Sequence, residues 1–224
     1  MTRVDVGSEI EAVLENADPV LVSEFTRVCR LSNYVYQSVN RYPELIADLF
    51  SSGDTIGSRE EGWYLKSLAG LLQETSDDFD QKLREFRRRE MIRVIFRDFS
   101  RRSDLIETTR DLSLFAEASI HTALLYHYQN NVTRFGTPRS ADGDAQQMCV
   151  LALGKLGAYE LNLSSDVDLV MLYDQQGFTD GNKSISNQEF FLRIARQLIK
   201  SLDETTAHGF VFRVDMRLRP FGES

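Results

Sequence analysis

The chain has 224 residues, 42% of them hydrophobic and 27% charged, with a formal net charge of −8. That length allows one large domain or two small ones. The acidic balance argues against general nucleic-acid binding, and no apolar run approaches the roughly 20 residues that span a bilayer.

The first residues, MTRVDVGSEIEAVLEN, hold no apolar segment of the signal-peptide kind, so a cytoplasmic, non-membrane protein is expected. Short apolar-periodic pieces predict helices over Ser8–Asn16, Pro19–Leu31, Tyr34–Asn40, Pro43–Phe50 and Trp63–Gln73, with a loop at SSGDTIGSREEG. Asp77–Phe99 and Ser103–Asn131 read as two long helices that pair antiparallel. Cys29 and Cys149 lie far apart without metal-type spacing and are expected as buried free thiols. The run Arg87-Arg88-Arg89-Glu90 reads first as a solvated face or a set of i,i+4 ion pairs, and second as a surface for a partner or for the catalytic domain. His121 and His127 stand six apart on the second long helix, the wrong spacing for joint ligands.

Past residue 132 the pattern changes. Thr133–Gln146 is rich in Gly, Pro, Asp and Ser and reads as a linker. Met148–Leu153 and Val167–Tyr173 are unbroken apolar runs of strand length, Asn187–Thr206 is an amphipathic helix, and Phe210–Val214 reads as a third strand. The expected fold is α+β, with a helical region over 1–135 and a small α/β core over 147–224. Three strands with a bare edge make a weak unit, so the core is expected to be incomplete at its C-terminus and the chain to be the front piece of a longer protein.

The chemistry concentrates in LALGKLGAYELNLSSDVDLVMLY, residues 151–173. Strand residues two apart share a face, so Asp166 and Asp168 project together, and Asp215 ends the neighbouring strand. Mg²⁺ prefers hard oxygen ligands, and two such ions can stabilise the charge of a phosphate under nucleophilic attack. Asp166, Asp168 and Asp215 are therefore the candidate catalytic and metal-holding residues. Gly154, Lys155 and Gly157 form a turn at a strand exit that suits close approach to a phosphate, although the P-loop spacing is absent. The hydroxyls of Ser164 and Ser165 either meet phosphate oxygens or cap a turn. Arg217 and Arg219 alternate beyond Asp215 on its face, where they either hold phosphate or pair with the carboxylates. His208 precedes the third strand and is a weaker candidate. Local basic groups in an acidic protein suit a small phosphate-bearing ligand better than a polyanion.

The runs GKLGAYELNLSSDVDLVMLY and FRVDMRLRPFGES resemble the paired signatures of the bifunctional glutamine synthetase adenylyltransferase/adenylyl-removing enzymes. FRRREMIRVIFRDF with DLIETTRDLSLFAEASI is similar to the helical run that precedes the site in that family, so the resemblance covers most of residues 34–224. It implies a polymerase-beta-like nucleotidyltransferase fold, two Mg²⁺ ions, ADP, ATP and phosphate as small-molecule partners, and glutamine synthetase and a PII-type signalling protein as macromolecular ones. Glu160-Leu161-Asn162 before Ser164-Ser165-Asp166 is closer to the first of the family's two catalytic domains. That implies removal of AMP from a tyrosine of glutamine synthetase by phosphorolysis. Adenylylation from ATP and a purely docking role are the alternatives. Ala158 and Tyr159 depart from the small or polar residues usual in the family, which implies a stiffer turn.

Overall fold

The computed structural model describes Glu15 and residues 18–216. The helix expected over 8–16, Glu15 apart, and both Arg217 and Arg219 lie outside the described residues. In chain order come α1 (Pro19–Leu31), α2 (Asn33–Arg41), α3 (Pro43–Ser51) and α4 (Trp63–Leu68), then a 3-10 turn, Ala69–Gln73. The long helices α5 (Ser76–Phe99) and α6 (Leu105–Phe135) follow. The rear holds β1 (Met148–Leu153), one helical turn α7 (Gly154–Gly157), β2 (Val167–Tyr173), α8 (Asn187–Asp203) and β3 (Val214–Asp215). The arrangement is α+β, helix-rich with one small sheet.

Local chemistry sets these boundaries. The Asp18 carboxylate accepts from the Val20 N–H ahead of Pro19, and Ser32 Oγ accepts from Val35 N–H, so α1 and α2 each begin on a capping side chain. Ser186 Oγ accepts from Glu189 N–H at the start of α8, a Ser-x-x-Glu start.

The chain divides into two compact units, 1–61 with 85–112, and 62–84 with 113–224, so each unit takes part of each long helix. The passage from the long helices to the sheet falls between Phe135 and Met148, inside the second unit. In the first unit Phe25, Phe50 and Phe96 meet edge to face, with centroids 5.1 and 5.0 Å apart. Arg93 and Arg97 on α5 pair there with Asp111 and Glu107 on α6. In the second unit Phe79 on α5 stacks on Tyr126 of α6 at 3.9 Å. In the first unit the later of the two arginines, Arg97, meets the earlier of the two acids, Glu107, the antiparallel sense the sequence predicts.

The Arg87–Glu90 run is not a solvated face. Glu90 and Arg93 are fully buried, and Arg59, Arg89 and Arg93 all contact the Glu90 carboxylate. Arg88 lies over the Tyr42 ring at 3.7 Å. Charges taken from water must be paired, and here they are paired across helices and loops rather than at i,i+4.

The second unit carries the sheet, ordered β1-β2-β3, with β1 antiparallel to β2 and β3 parallel to it. Met148, Val150, Met171 and Tyr173 face α8, packing on buried Phe190, Phe191 and Ile194 together with Phe135 of α6. Alternation sends Cys149, Leu151, Leu153, Val170, Leu172 and Asp168 to the opposite face.

Three expectations are corrected. Cys149 is exposed on that open face; only Cys29 is buried, and burial pushes its thiol up to about 12. Residues 133–146 are not a simple linker. Helix α6 runs on to Phe135, and the loop beyond it docks on 177–187 through the bridge Pro138–Thr179, the Arg139 N–H donating to the Phe178 carbonyl at 3.0 Å, and the buried amide of Asn187, which donates to the Arg139 carbonyl. Gly136 and Gly181 make that approach possible: a Cβ on Gly136 would lie 2.1 Å from the Gly181 nitrogen. Strand β3 is shorter than predicted. The Val211 and Phe212 N–H groups both donate to the Leu202 carbonyl at the end of α8, so pairing with β2 begins only after them.

Candidate functional site

Strand β2 places Asp168 in register with Asp215 on β3 and with Leu153 on β1. In a parallel pair, residues in register share a face, so the two carboxylates project together from the open side of the sheet. Asp166 stands immediately before β2, exposed, two residues from Asp168 in sequence. Asp168 and Asp215 are half-buried. Among the described residues no group of three His, Cys, Asp or Glu side chains is gathered as a ready metal cage. The structure brings Asp168 and Asp215 together and leaves Asp166 at the entry to the strand.

The GKLG turn sits against this pair. Gly154 has φ +55°, and a Cβ there would lie 2.7 Å from Asp168 Oδ2. Only glycine allows both that backbone and that contact. A Cβ on Gly157 would lie 2.6 Å from the Ala152 carbonyl oxygen, so the second glycine lets the turn fold back on β1. Sterics therefore account for both glycines, and the space beside the Asp168 oxygen stays open. Lys155 is exposed on the same turn.

The turn ends in a Schellman arrangement: Glu160 N–H donates to the Lys155 carbonyl at 2.8 Å and Tyr159 N–H to the Leu156 carbonyl at 3.1 Å. Its left-handed position is filled by Tyr159, φ +59°, where glycine is usual. The Tyr159 hydroxyl donates to Glu117 on α6 at 3.2 Å, and Ser113 Oγ, one turn earlier, accepts from the Leu161 N–H at 3.1 Å. Tyr159 and Leu161 are thus tied down by α6.

Ser165 Oγ accepts from the Asn162 N–H at 3.2 Å, and the Asn162 side-chain oxygen accepts from the Ser164 N–H at 3.1 Å. Ser165 therefore caps the turn before the aspartates, the second of its two readings, while Ser164 is exposed. His127 is half-buried: Nε2 lies 2.8 Å from the Ser201 hydroxyl, and desolvation holds its pKa down at about 4. His121 lies at a cavity of about 620 Å³ behind the turn, with Glu117, Tyr159, Leu156 and Leu169 also in its wall. His208 sits in the Thr206–Gly209 turn between α8 and β3.

Arg84 gave no signal in the sequence beyond membership of a basic stretch. It is fully buried, donating to the carbonyls of Asp80, Glu204 and Gly209 at 2.8, 3.2 and 3.1 Å and to that of Lys200 at 3.5 Å.

A pair of carboxylates in register on an open sheet face, with a glycine turn pressed on one of them, is a set of hard oxygen donors of the kind that could hold a divalent cation. The model of the glutamate-ammonia ligase adenylyltransferase family, GlnE, matches residues 22–224. The chain is 47% identical over 224 residues to the bifunctional glutamine synthetase adenylyltransferase/adenylyl-removing enzyme of Pseudomonas syringae pv. tomato, covering 98% of this chain and 23% of that one. The enzymes of the same name from Hahella chejuensis and Nitrosococcus oceani are 44% and 46% identical, over 98% and 86% of this chain and 23% and 20% of theirs. The chain belongs to the glutamate-ammonia ligase adenylyltransferase family. It spans about a quarter of the length of the relatives it matches. No helix among the described residues is long and apolar enough to cross a membrane.

Proposed function

We propose that this chain carries the core of an adenylyl-removing site, part of a longer bifunctional enzyme that regulates glutamine synthetase in the cytoplasm. The observation that carries the reading is the register of Asp168 with Asp215, with Gly154 seated against Asp168. The family membership supports it, and the Glu160-Leu161-Asn162, Ser164-Ser165-Asp166 run supports the removing rather than the adding direction.

The donor set is oxygen-only and hard, and Gly154 leaves open the space a side chain would fill beside Asp168 Oδ2, so the residues fit Mg²⁺. Asp168 and Asp215 would hold it, with Asp166 joining from the strand entry, and two ions are proposed. When bound, the metal supplies charge stabilisation for the phosphate under attack and for the departing oxygen. The chain's own groups do the rest. The carboxylates fix where the AMP phosphorus lies. Lys155, and Arg217 and Arg219 beyond the described residues, balance the charge of the incoming phosphate and of AMP. Phosphate oxygen forms the new bond to phosphorus as the bond to the tyrosyl oxygen breaks, giving ADP and a tyrosine that takes up a proton. A PII-type signalling protein is proposed as a further partner.

The test incubates adenylylated glutamine synthetase with Mg²⁺ and phosphate and the full-length protein that carries this chain, its second catalytic domain inactivated. ADP release with recovery of unmodified synthetase is expected. Labelling of the synthetase from ATP by that protein would reverse the direction. Binding of the synthetase without either reaction would reduce the chain to a docking piece.

A further inference from the structure

We infer that Arg84 is the positioning residue that sets Asp215 in register with Asp168. The inference rests on the reading of Asp215 as a site residue, and its primary test does not.

Strand β3 pairs with β2 over only Val214 and Asp215, too little to hold itself in place. Its position is set by what precedes it. Helix α8 ends at Asp203, and the chain makes a tight turn in which Thr206 and Gly209 exchange backbone hydrogen bonds at 3.0 Å. It then folds back so that Val211 and Phe212 donate to Leu202, and the Arg213 carbonyl accepts from the Val167 N–H at 2.8 Å. That last bond seats the incoming chain at the head of β2, next to the pairing of Asp168 with Asp215.

Arg84 joins the parts of this return. Its guanidinium reaches from α5 to the terminal carbonyls of α8 at Lys200 and Glu204 and to the Gly209 carbonyl across the turn, while another N–H holds the Asp80 carbonyl on its own helix. Glu204 N–H makes the last intrahelical bond, to the Lys200 carbonyl, so the Glu204 carbonyl lies beyond the helical ladder at an end that carries partial negative charge, where a buried cation is favoured. A planar fork with fixed donor directions locks helix end and turn in one relative geometry, which a flexible ammonium does not. Arg84 does not touch the carboxylates; it fixes the segment that delivers one of them.

The experiment is residue-resolved amide exchange on the chain with Arg84→Gln, with Arg84→Lys read the same way should the first variant fail to fold. The Val167, Val211 and Phe212 amides are expected to exchange at least about tenfold faster, while the amides of the β1–β2 pairing keep their protection. Mn²⁺ binding, read by electron paramagnetic resonance, is expected to weaken by about tenfold or more, and less in Arg84→Lys. Uniform acceleration of all amides, or none, overturns the inference, since either means Arg84 contributes general stability alone. The metal arm separates the two readings. If Asp168→Asn leaves Mn²⁺ binding of the wild-type chain unchanged, the metal site fails, and the exchange pattern still decides the role of Arg84.

Discussion

Asp168 and Asp215 stand in register across the parallel pairing of β2 and β3, forty-odd residues apart in sequence and adjacent on one face of the sheet. The intervening helix α8 makes this possible, because parallel neighbours need a crossover to return the chain to the same end. Everything proposed about chemistry depends on that adjacency.

Gly154→Ala places a methyl 2.7 Å from Asp168 Oδ2 on a backbone at φ +55°. The left-handed backbone alone costs about 1–2 kcal/mol. The expected outcome is a lower melting temperature together with loss of divalent-ion binding. Thermal unfolding with and without Mn²⁺ checks it; a variant that melts lower yet keeps the same Mn²⁺-induced shift would detach Gly154 from the site.

Tyr159→Gly moves in the other direction. Glycine relieves the left-handed strain at φ +59° and gives up the hydroxyl contact to exposed Glu117. The balance is expected to lie between neutral and about 1 kcal/mol stabilising, whereas Tyr159→Val, which keeps the strain and loses the contact, destabilises. Denaturant midpoints of the two variants give the comparison.

Glu90 accepts from three arginines with no exposure to solvent. Removing its charge leaves Arg93 with Asp111, and Arg59 and Arg89 with Asp54, so each arginine keeps one carboxylate but loses a buried charge-assisted bond, and Glu90→Gln is expected to cost about 1–3 kcal/mol. Calorimetry of the chain checks this. A loss below about 1 kcal/mol would mean that water or rearrangement repairs the network.

Stability falls with pH in two separate windows. His127 titrates at about 4 when folded because burial disfavours its charged form, below the 6.5 of the free side chain. The unfolded chain therefore binds the extra proton between those values, and stability drops as pH falls from 6.5 towards 4. Hydrogen bonds from Arg59 and then Arg89 hold Asp54 at about 2, so its contribution is lost as pH falls from 3.8 towards 2. His127→Gln is expected to flatten the first window and leave the second. Denaturation midpoints at intervals between pH 7 and 3 resolve the first window and the onset of the second.

Much of this was legible in sequence because it depends on local pattern. Unbroken apolar runs gave β1 and β2, and apolar residues at helical spacing gave α8. What was not legible depends on tertiary placement. The arginines of α5 look solvated in sequence because charge normally marks an outer face, but this helix is buried on several sides from Glu90 onward, so no one-sided stripe exists to distinguish them. The length of β3 is set by the Leu202 carbonyl capturing Val211 and Phe212, a contact the apolar run FVFRV does not announce. Cys149 was misplaced because an apolar run cannot say which of its faces stays open. The Gly-Lys-Leu-Gly turn was found, but the close approach of its glycines to Asp168 and Ala152 needed the fold.

The most direct measurement is the rate of phosphate-dependent ADP release from adenylylated glutamine synthetase by the full-length protein, with Asp168→Asn and Asp215→Asn compared against the unaltered site. The account predicts that each substitution lowers the rate by about 10³-fold or more while the protein stays folded. A rate that survives either change, in a protein whose unaltered form releases ADP, would contradict it.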